Sequence, residues 1–173
     1  RLSLELAHAH MSVRPSINNV LIWGRDQIKA AAVASQLDNA QAVNDLAQAC
    51  GQADVISCCT LSSKALVKGV WVKPNTHIDL VGAYRSDLRE TDSELVAKSL
   101  VFVDTYAGAH GEAGDLLQAA QEGYFDMANI QGDLHQLSGM TYKRLNQSIT
   151  LFKSVGASIE DFVAARMVAE ASI

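Results

Sequence analysis

Three short apolar runs dominate this chain: DVISCCTL (54–61), HIDLVGA (77–83) and LVFVDT (100–105), with helical patterns around them. A strand that is apolar on both faces has to be covered on both sides, and strand–helix alternation supplies that cover by packing helices on each face of a mostly parallel sheet. The expected fold is therefore α/β, a doubly wound and mostly parallel sheet. The middle run is the most informative. It ends in Val81, Gly82, Ala83 and Tyr84 before a polar stretch and a new helix. Open α/β sheets bind their ligands at such carboxyl ends of strands.

The rest of the chain keeps the alternation. NNVLIWG (18–24) reads as a strand, and RDQIKAAAVASQL (25–37) as a helix capped by Asp26, whose side-chain oxygen can satisfy the first free amides. A brief extended AQAV (40–43) leads to a helix capped by Asn44 and stopped by Gly51. LVKGVWVKPNT (66–76) is a loop with a proline turn, and DSELVAKS (92–99) is a helix. One long helical region is expected over 107–122. IQGDLHQL and TYKRLNQS are less periodic, and ITLFKSVG (149–156) then returns as a strand. The last helix, from Ser158, carries Ile159, Phe162, Val163, Met167 and Val168, which suit packing on the sheet, on another domain or on a second subunit.

Composition removes several functions. With 173 residues and 49% hydrophobic content, the chain can bury one core of ordinary size. The net charge is −5 and the 14 basic residues are scattered, so no nucleic-acid surface is expected. No apolar run approaches the roughly 20 residues that span a bilayer, and no membrane partner is expected. Cys50, Cys58 and Cys59 are too few and wrongly spaced for a disulfide framework or a zinc site. They read as buried thiols in a reducing, cytoplasmic setting. His8 and His10, two apart on a helix, point in different directions. His77, His110 and His135 lack partners at ligand spacing, so no metal site is expected.

The strand VLIW is followed by Gly24 and Arg25, with no carboxylate at its terminal position. A dinucleotide fold that prefers NAD places an acidic residue there for the ribose hydroxyls, whereas an arginine accommodates a 2′-phosphate. Arg25 therefore has two readings, a solvated turn residue or a contact selecting NADP(H). The companion G-x-G-x-x-G loop does not occur in the chain, and its expected place is just before Arg1.

Several blocks, in order, resemble the ornithine cyclodeaminase and mu-crystallin family: WGR, GQADVISCCTL, KPNTHIDLVGAYRSDLRETDSEL, VFVDT, EAGDLL and TLFKSVGASIEDFVAA. The resemblance implies a Rossmann-like domain that binds NAD(P), joined to a dimerisation and substrate domain built from both ends of a longer chain. On that reading residues 1–130 are an incomplete NAD(P)-binding domain, without its first strand and glycine-rich loop. Residues 131–173 return towards the second domain, to which the C-terminal strand and helix contribute. The implied cofactor is NADP(H), with NAD(H) as the alternative. The implied partner is a cyclic imino acid or amino acid, and the implied assembly is a homodimer.

The resemblance also carries site residues over one by one. The cyclodeaminases have an aspartate at the position of Tyr84, beside the reacting carbon. A phenol, with a pKa of about 10, is a poor base at neutral pH. Tyr84 therefore favours the family's reductases of Δ1-pyrroline-2-carboxylate and Δ1-piperideine-2-carboxylate, which need only hydride delivery to a protonated C=N bond. Tyr84 would cover the substrate ring or donate a hydrogen bond; packing as an ordinary aromatic at a loop mouth is the other reading. Glu112 matches an acidic residue facing the ligand pocket, with Asp115 one turn on and able to share its side. Cys59, Thr60 and Leu61 match residues passing under the cofactor, and Ser154 matches one near the nicotinamide. Val81 and Ala83 would form part of the nicotinamide wall, with Gly82 permitting close backbone approach. Cyclodeaminase or amino-acid dehydrogenase activity, and a non-catalytic ligand-binding role like that of mu-crystallin, stay open. The fragment by itself is expected to be inactive.

Overall fold

The structure is a computed structural model that describes residues 2–139, 141 and 145–171. Tyr142, Lys143 and Arg144 of the segment TYKRLNQS lie outside the described residues.

Two parallel sheets carry the fold. The smaller pairs β1 (Val20–Ile22) with β2 (Ala40–Ala42), with α2 (Gln27–Ala34) as the crossover between them. The larger has five strands in the order β3-β4-β7-β5-β6, where β3 is Val55–Cys58, β4 His77–Leu80, β5 Ser99–Val103, β6 Gly132–Asp133 and β7 Ile149–Lys153. Every pairing in both sheets is parallel. The apolar runs read from sequence are the central strands of the larger sheet. Ile78, Leu80, Val101, Val103 and Leu151 are fully buried there, because they face helices on one side or the other. Each such side chain, taken from water into the core, stabilises the fold by about 1.5–3 kcal/mol.

Four elements differ from the sequence expectations. β7, assigned with residues 131–173 to a second domain, lies between β4 and β5 at the centre of the sheet. Its pairings on both sides bury Ile149, Thr150, Leu151 and Lys153. The helix α3 (Leu46–Gln52) is capped by Asp45, whose carboxylate accepts the Gln48 amide at 2.9 Å, and not by Asn44. It runs through Gly51 and ends at Ala53. The helical region over 107–122 is two helices, α5 (Tyr106–Glu112) and α6 (Gly114–Gln121), broken at Ala113. The break arises because the Gly114 amide leaves the helical ladder and donates to the Ala83 carbonyl at 3.3 Å.

The first helix, α1 (Leu2–Val13), buries none of its residues fully. It reaches the larger sheet through His10, whose Nε2 lies 3.3 Å from the Asp79 carboxylate; Ser57 donates to the same oxygen at 2.9 Å. α4 (Ser93–Ala97) packs on α6, and a short α7 (Leu134–Gly139) follows β6. The last helix, α8 (Ser158–Ala171), has no buried residue, and Ile159, Phe162, Val163, Met167 and Val168 are 49–68% exposed. Its apolar residues therefore do not pack on the sheet. Among the described residues no helix is long and apolar enough to cross a membrane.

Candidate active site

β3, β4, β7 and β5 lie side by side and run in the same direction, so the segments that leave their carboxyl ends gather along one edge. These segments are Cys59–Leu61, Val81–Tyr84, Ser154–Gly156 and Asp104–Thr105. Eight of the twelve residues singled out from sequence fall on them: Cys59, Thr60, Leu61, Val81, Gly82, Ala83, Tyr84 and Ser154. Val81 is half-buried, Leu61 is 66% exposed and Tyr84 is 44% exposed, so the edge offers apolar and aromatic surface to solvent. The Thr60 hydroxyl oxygen is buried and has no hydrogen-bond partner among the described residues. A buried polar group left unpaired costs about 1–3 kcal/mol.

Other candidates stand elsewhere or are differently occupied. Gly24 and Arg25 follow β1, in the smaller sheet. Arg25 is exposed and has no ion-pair partner among the described residues. The Asp26 carboxylate accepts the Ile28 and Lys29 amides, both at 3.1 Å, and caps α2 as the sequence indicated. The Lys29 amide and ammonium hold that carboxyl below its ordinary range. Ala83, expected in the nicotinamide wall, is wholly buried and presents no surface. Gly82 is needed for close approach, but of the protein's own backbone. A Cβ there would lie 1.9 Å from the Thr60 carbonyl oxygen and 2.3 Å from its nitrogen.

Glu112 and Asp115 do not share a side. Glu112 is exposed at the end of α5, whereas Asp115 is wholly buried in α6, because the break at Ala113 separates the two helices. Asp115 accepts the Glu90 amide at 2.6 Å and the Thr91 amide at 2.9 Å, and its other oxygen faces the buried Lys153 ammonium at 3.6 Å. Glu112 stays near the edge through the chain, two residues before Gly114 and its bond to Ala83.

The structure adds residues that sequence reasoning passed over. Glu90 is wholly buried and accepts the backbone amides of Thr60 and, at 2.7 Å, Gly82. Lys153 is buried at the end of β7 and also donates to the Leu80 carbonyl at 3.3 Å. Asp104, at the end of β5, accepts the Ser154 hydroxyl at 3.1 Å and the amides of Val155 at 2.7 Å and Gly156 at 2.8 Å. Ser154 therefore already has a partner. The usable signal was a charged residue closing an apolar run, as in VFVD and ITLFK. Glu90 gave none, since it sits in the polar stretch RSDLRETD.

The electrostatics follow from burial. Burial pushes the Asp115 carboxyl up, opposed first by Lys153. It also pushes Glu90 up, against the pull of the Thr60 and Gly82 hydrogen bonds. The thiols go the same way. Cys50 is pushed up to about 11 by burial, and Cys58 well above its ordinary value by burial and then by the Glu90 and Asp115 carboxylates. Cys59 also rises, again first through burial. Protonated, enclosed thiols behave as small apolar residues rather than nucleophiles.

The sequence pattern of the ornithine cyclodeaminase/mu-crystallin family matches residues 4–173. The chain belongs to this family. Among family relatives, a Δ1-pyrroline-2-carboxylate reductase of Paracoccus denitrificans is 33% identical over 97% of the chain and 55% of its own length. The ketimine reductase mu-crystallin of Rattus norvegicus is 33% identical over 88% of the chain and 47% of its own length. Among solved structures, the Δ1-pyrroline-2-carboxylate reductase of Thermococcus litoralis, in complex with NADH and L-proline, superposes with a TM-score of 0.92 at 31% identity. It covers 97% of this chain, which covers 54% of it. The chain thus spans about half the length of the curated relatives it matches.

Proposed function

We propose that this chain forms the nicotinamide-dinucleotide side of an NAD(P)H-dependent reductase that converts a cyclic imino acid, such as Δ1-pyrroline-2-carboxylate or Δ1-piperideine-2-carboxylate, to the cyclic amino acid. The observation that carries the reading is the edge itself. Thr60, Val81 and Tyr84 leave neighbouring parallel strands, where open α/β sheets bind ligands. Relatives named as reductases of this imine class support the substrate, and the neighbour that holds NADH and proline supports the cofactor class.

When bound, the reduced nicotinamide supplies a hydride to the C=N carbon of an imine that arrives protonated. The chain's own residues then position and shield. Thr60 and Val81 hold and wall the ring, with Cys59 and Leu61 flanking, and the exposed Tyr84 covers the substrate. Glu112, exposed at the end of α5, is the acidic residue read as facing the ligand. The bound Ser154–Gly156 turn closes the edge on the β7 side. Tyr84 stands where a cyclodeaminase would keep a carboxylate, which is why reduction is favoured over cyclodeamination.

Arg25, exposed and free of an acidic partner among the described residues, supports NADP(H) over NAD(H). β1 and β3 are each an edge of their own sheet. A parallel strand between them would join both into one Rossmann-type order, and its following loop would bring phosphate-binding amides to the same edge. The full-length protein is read as a cytoplasmic homodimer with a second domain. The test is reduced-cofactor oxidation by the full-length protein with each cyclic imine. Turnover supports the reductase. Cofactor binding without turnover of any cyclic imine overturns it in favour of a ligand-binding protein.

A further inference from the structure

We infer that Glu90 is a positioning residue for this edge, a buried carboxylate clamp that fixes the distance between the β3 and β4 loops and hence the wall that the reacting groups meet. The inference rests on the reductase reading. One carboxylate oxygen accepts the Thr60 amide and the other accepts the Gly82 amide at 2.7 Å, so a single side chain ties two neighbouring strand ends together. Glu90 cannot drift. Its amide is held by Asp115 at 2.6 Å, and its carbonyl accepts the Leu66 and Val67 amides at 2.9 and 3.0 Å.

Asp115 is fixed in turn by the Thr91 amide and faces Lys153, which reaches the Leu80 carbonyl at the end of β4. The chain of contacts Lys153–Asp115–Glu90 thus runs behind the edge from β7 to the loops after β4 and β3, entirely in the interior. No slack exists between the two loops, since even a methyl group on Gly82 would overlap the Thr60 backbone. Loops spaced this tightly move when the clamp changes. Reaction rates respond to such movement, because a misplacement of about 1 Å can cost about a hundredfold.

Two variants of the full-length protein separate charge from geometry. Glu90→Gln keeps the length but turns an amide group towards a backbone N–H, whereas Glu90→Asp keeps the charge but is one methylene too short to reach both amides. Both are expected to lower kcat by roughly a hundredfold with much less change in KM. Both should also raise the deuterium isotope effect on kcat with C4-deuterated cofactor, and speed hydrogen exchange at the Thr60 and Gly82 amides. Wild-type kcat and isotope effect in both variants would overturn the inference, even if exchange is faster, since the clamp would then serve stability alone.

Should neither variant fold, Gly82→Ala forces the same loops apart with the carboxylate intact and is expected to give the same kinetic pattern; unchanged kinetics there would overturn the inference. If the wild type turns over no cyclic imine, the reductase reading fails separately. Reduced-dinucleotide affinity then decides, with weaker binding in Glu90→Gln supporting the clamp and equal binding overturning it.

Discussion

The two sheets end in opposite ways. At the carboxyl edge of the five-stranded sheet, buried carboxylates hold the strand ends from a distance in sequence: Glu90 holds Thr60 and Gly82, and Asp104 holds residues 154–156. At the end of the two-stranded sheet, Asp26 caps the helix that begins beside it, and Arg25 points into solvent without a partner among the described residues. The first edge is fixed by long-range contacts that exclude water. The second is fixed locally and is free to meet something else.

Replacing Asp115 by Ala is the severest way to break this contrast. It leaves the Lys153 ammonium buried without its counter-charge and frees the Glu90 and Thr91 amides. A loss of about 3–5 kcal/mol is expected in denaturant unfolding. Alkali sharpens the comparison next. The Cys50 thiol titrates near 9 when unfolded but about 11 when folded, so between those values the folded state holds the extra proton and stability falls as pH rises. Its share of the fall is roughly 2–3 kcal/mol over that window, and Cys50→Ala should make the loss shallower by that share, leaving what Cys58 and Cys59 contribute.

At the other edge, Arg25→Ala in the full-length protein is expected to weaken NADPH by about 1.5–3 kcal/mol, the range for a charge-assisted hydrogen bond, and to leave NADH almost unchanged. Equal weakening by fluorescence titration would remove the 2′-phosphate role. The mildest test is the local cap. Asp45→Ala frees the Gln48 amide of α3 and should cost about 1 kcal/mol in thermal unfolding, several times less than the loss of Asp115.

The same divide between local and distant contacts decides what was legible in the sequence. The parallel strands were legible because LVFV is apolar on both faces and VISC and HIDL carry short apolar stretches between helical patterns, and the Asp26 cap was legible because it acts on its own helix. The place of Tyr84 just past a strand end was legible, whereas its exposure was not. The place of β7 was not, since order in the chain says nothing of order in the sheet. Asn44 and Asp45 are equally good caps on paper, and only the backbone entering α3 chose between them. The break at Ala113 depends on the bond of the Gly114 amide to a carbonyl thirty-one residues before it, that of Ala83. The interior places of Glu90 and Asp115 were not legible, because their partners are amides of distant loops, which no spacing announces.

The reductase reading is tested most directly by following the hydride. Full-length protein, Δ1-pyrroline-2-carboxylate and reduced cofactor carrying deuterium at C4 should yield proline with one deuterium on its α-carbon by mass spectrometry. Dinucleotide that binds but keeps its deuterium, with this imine and with Δ1-piperideine-2-carboxylate, would contradict the account.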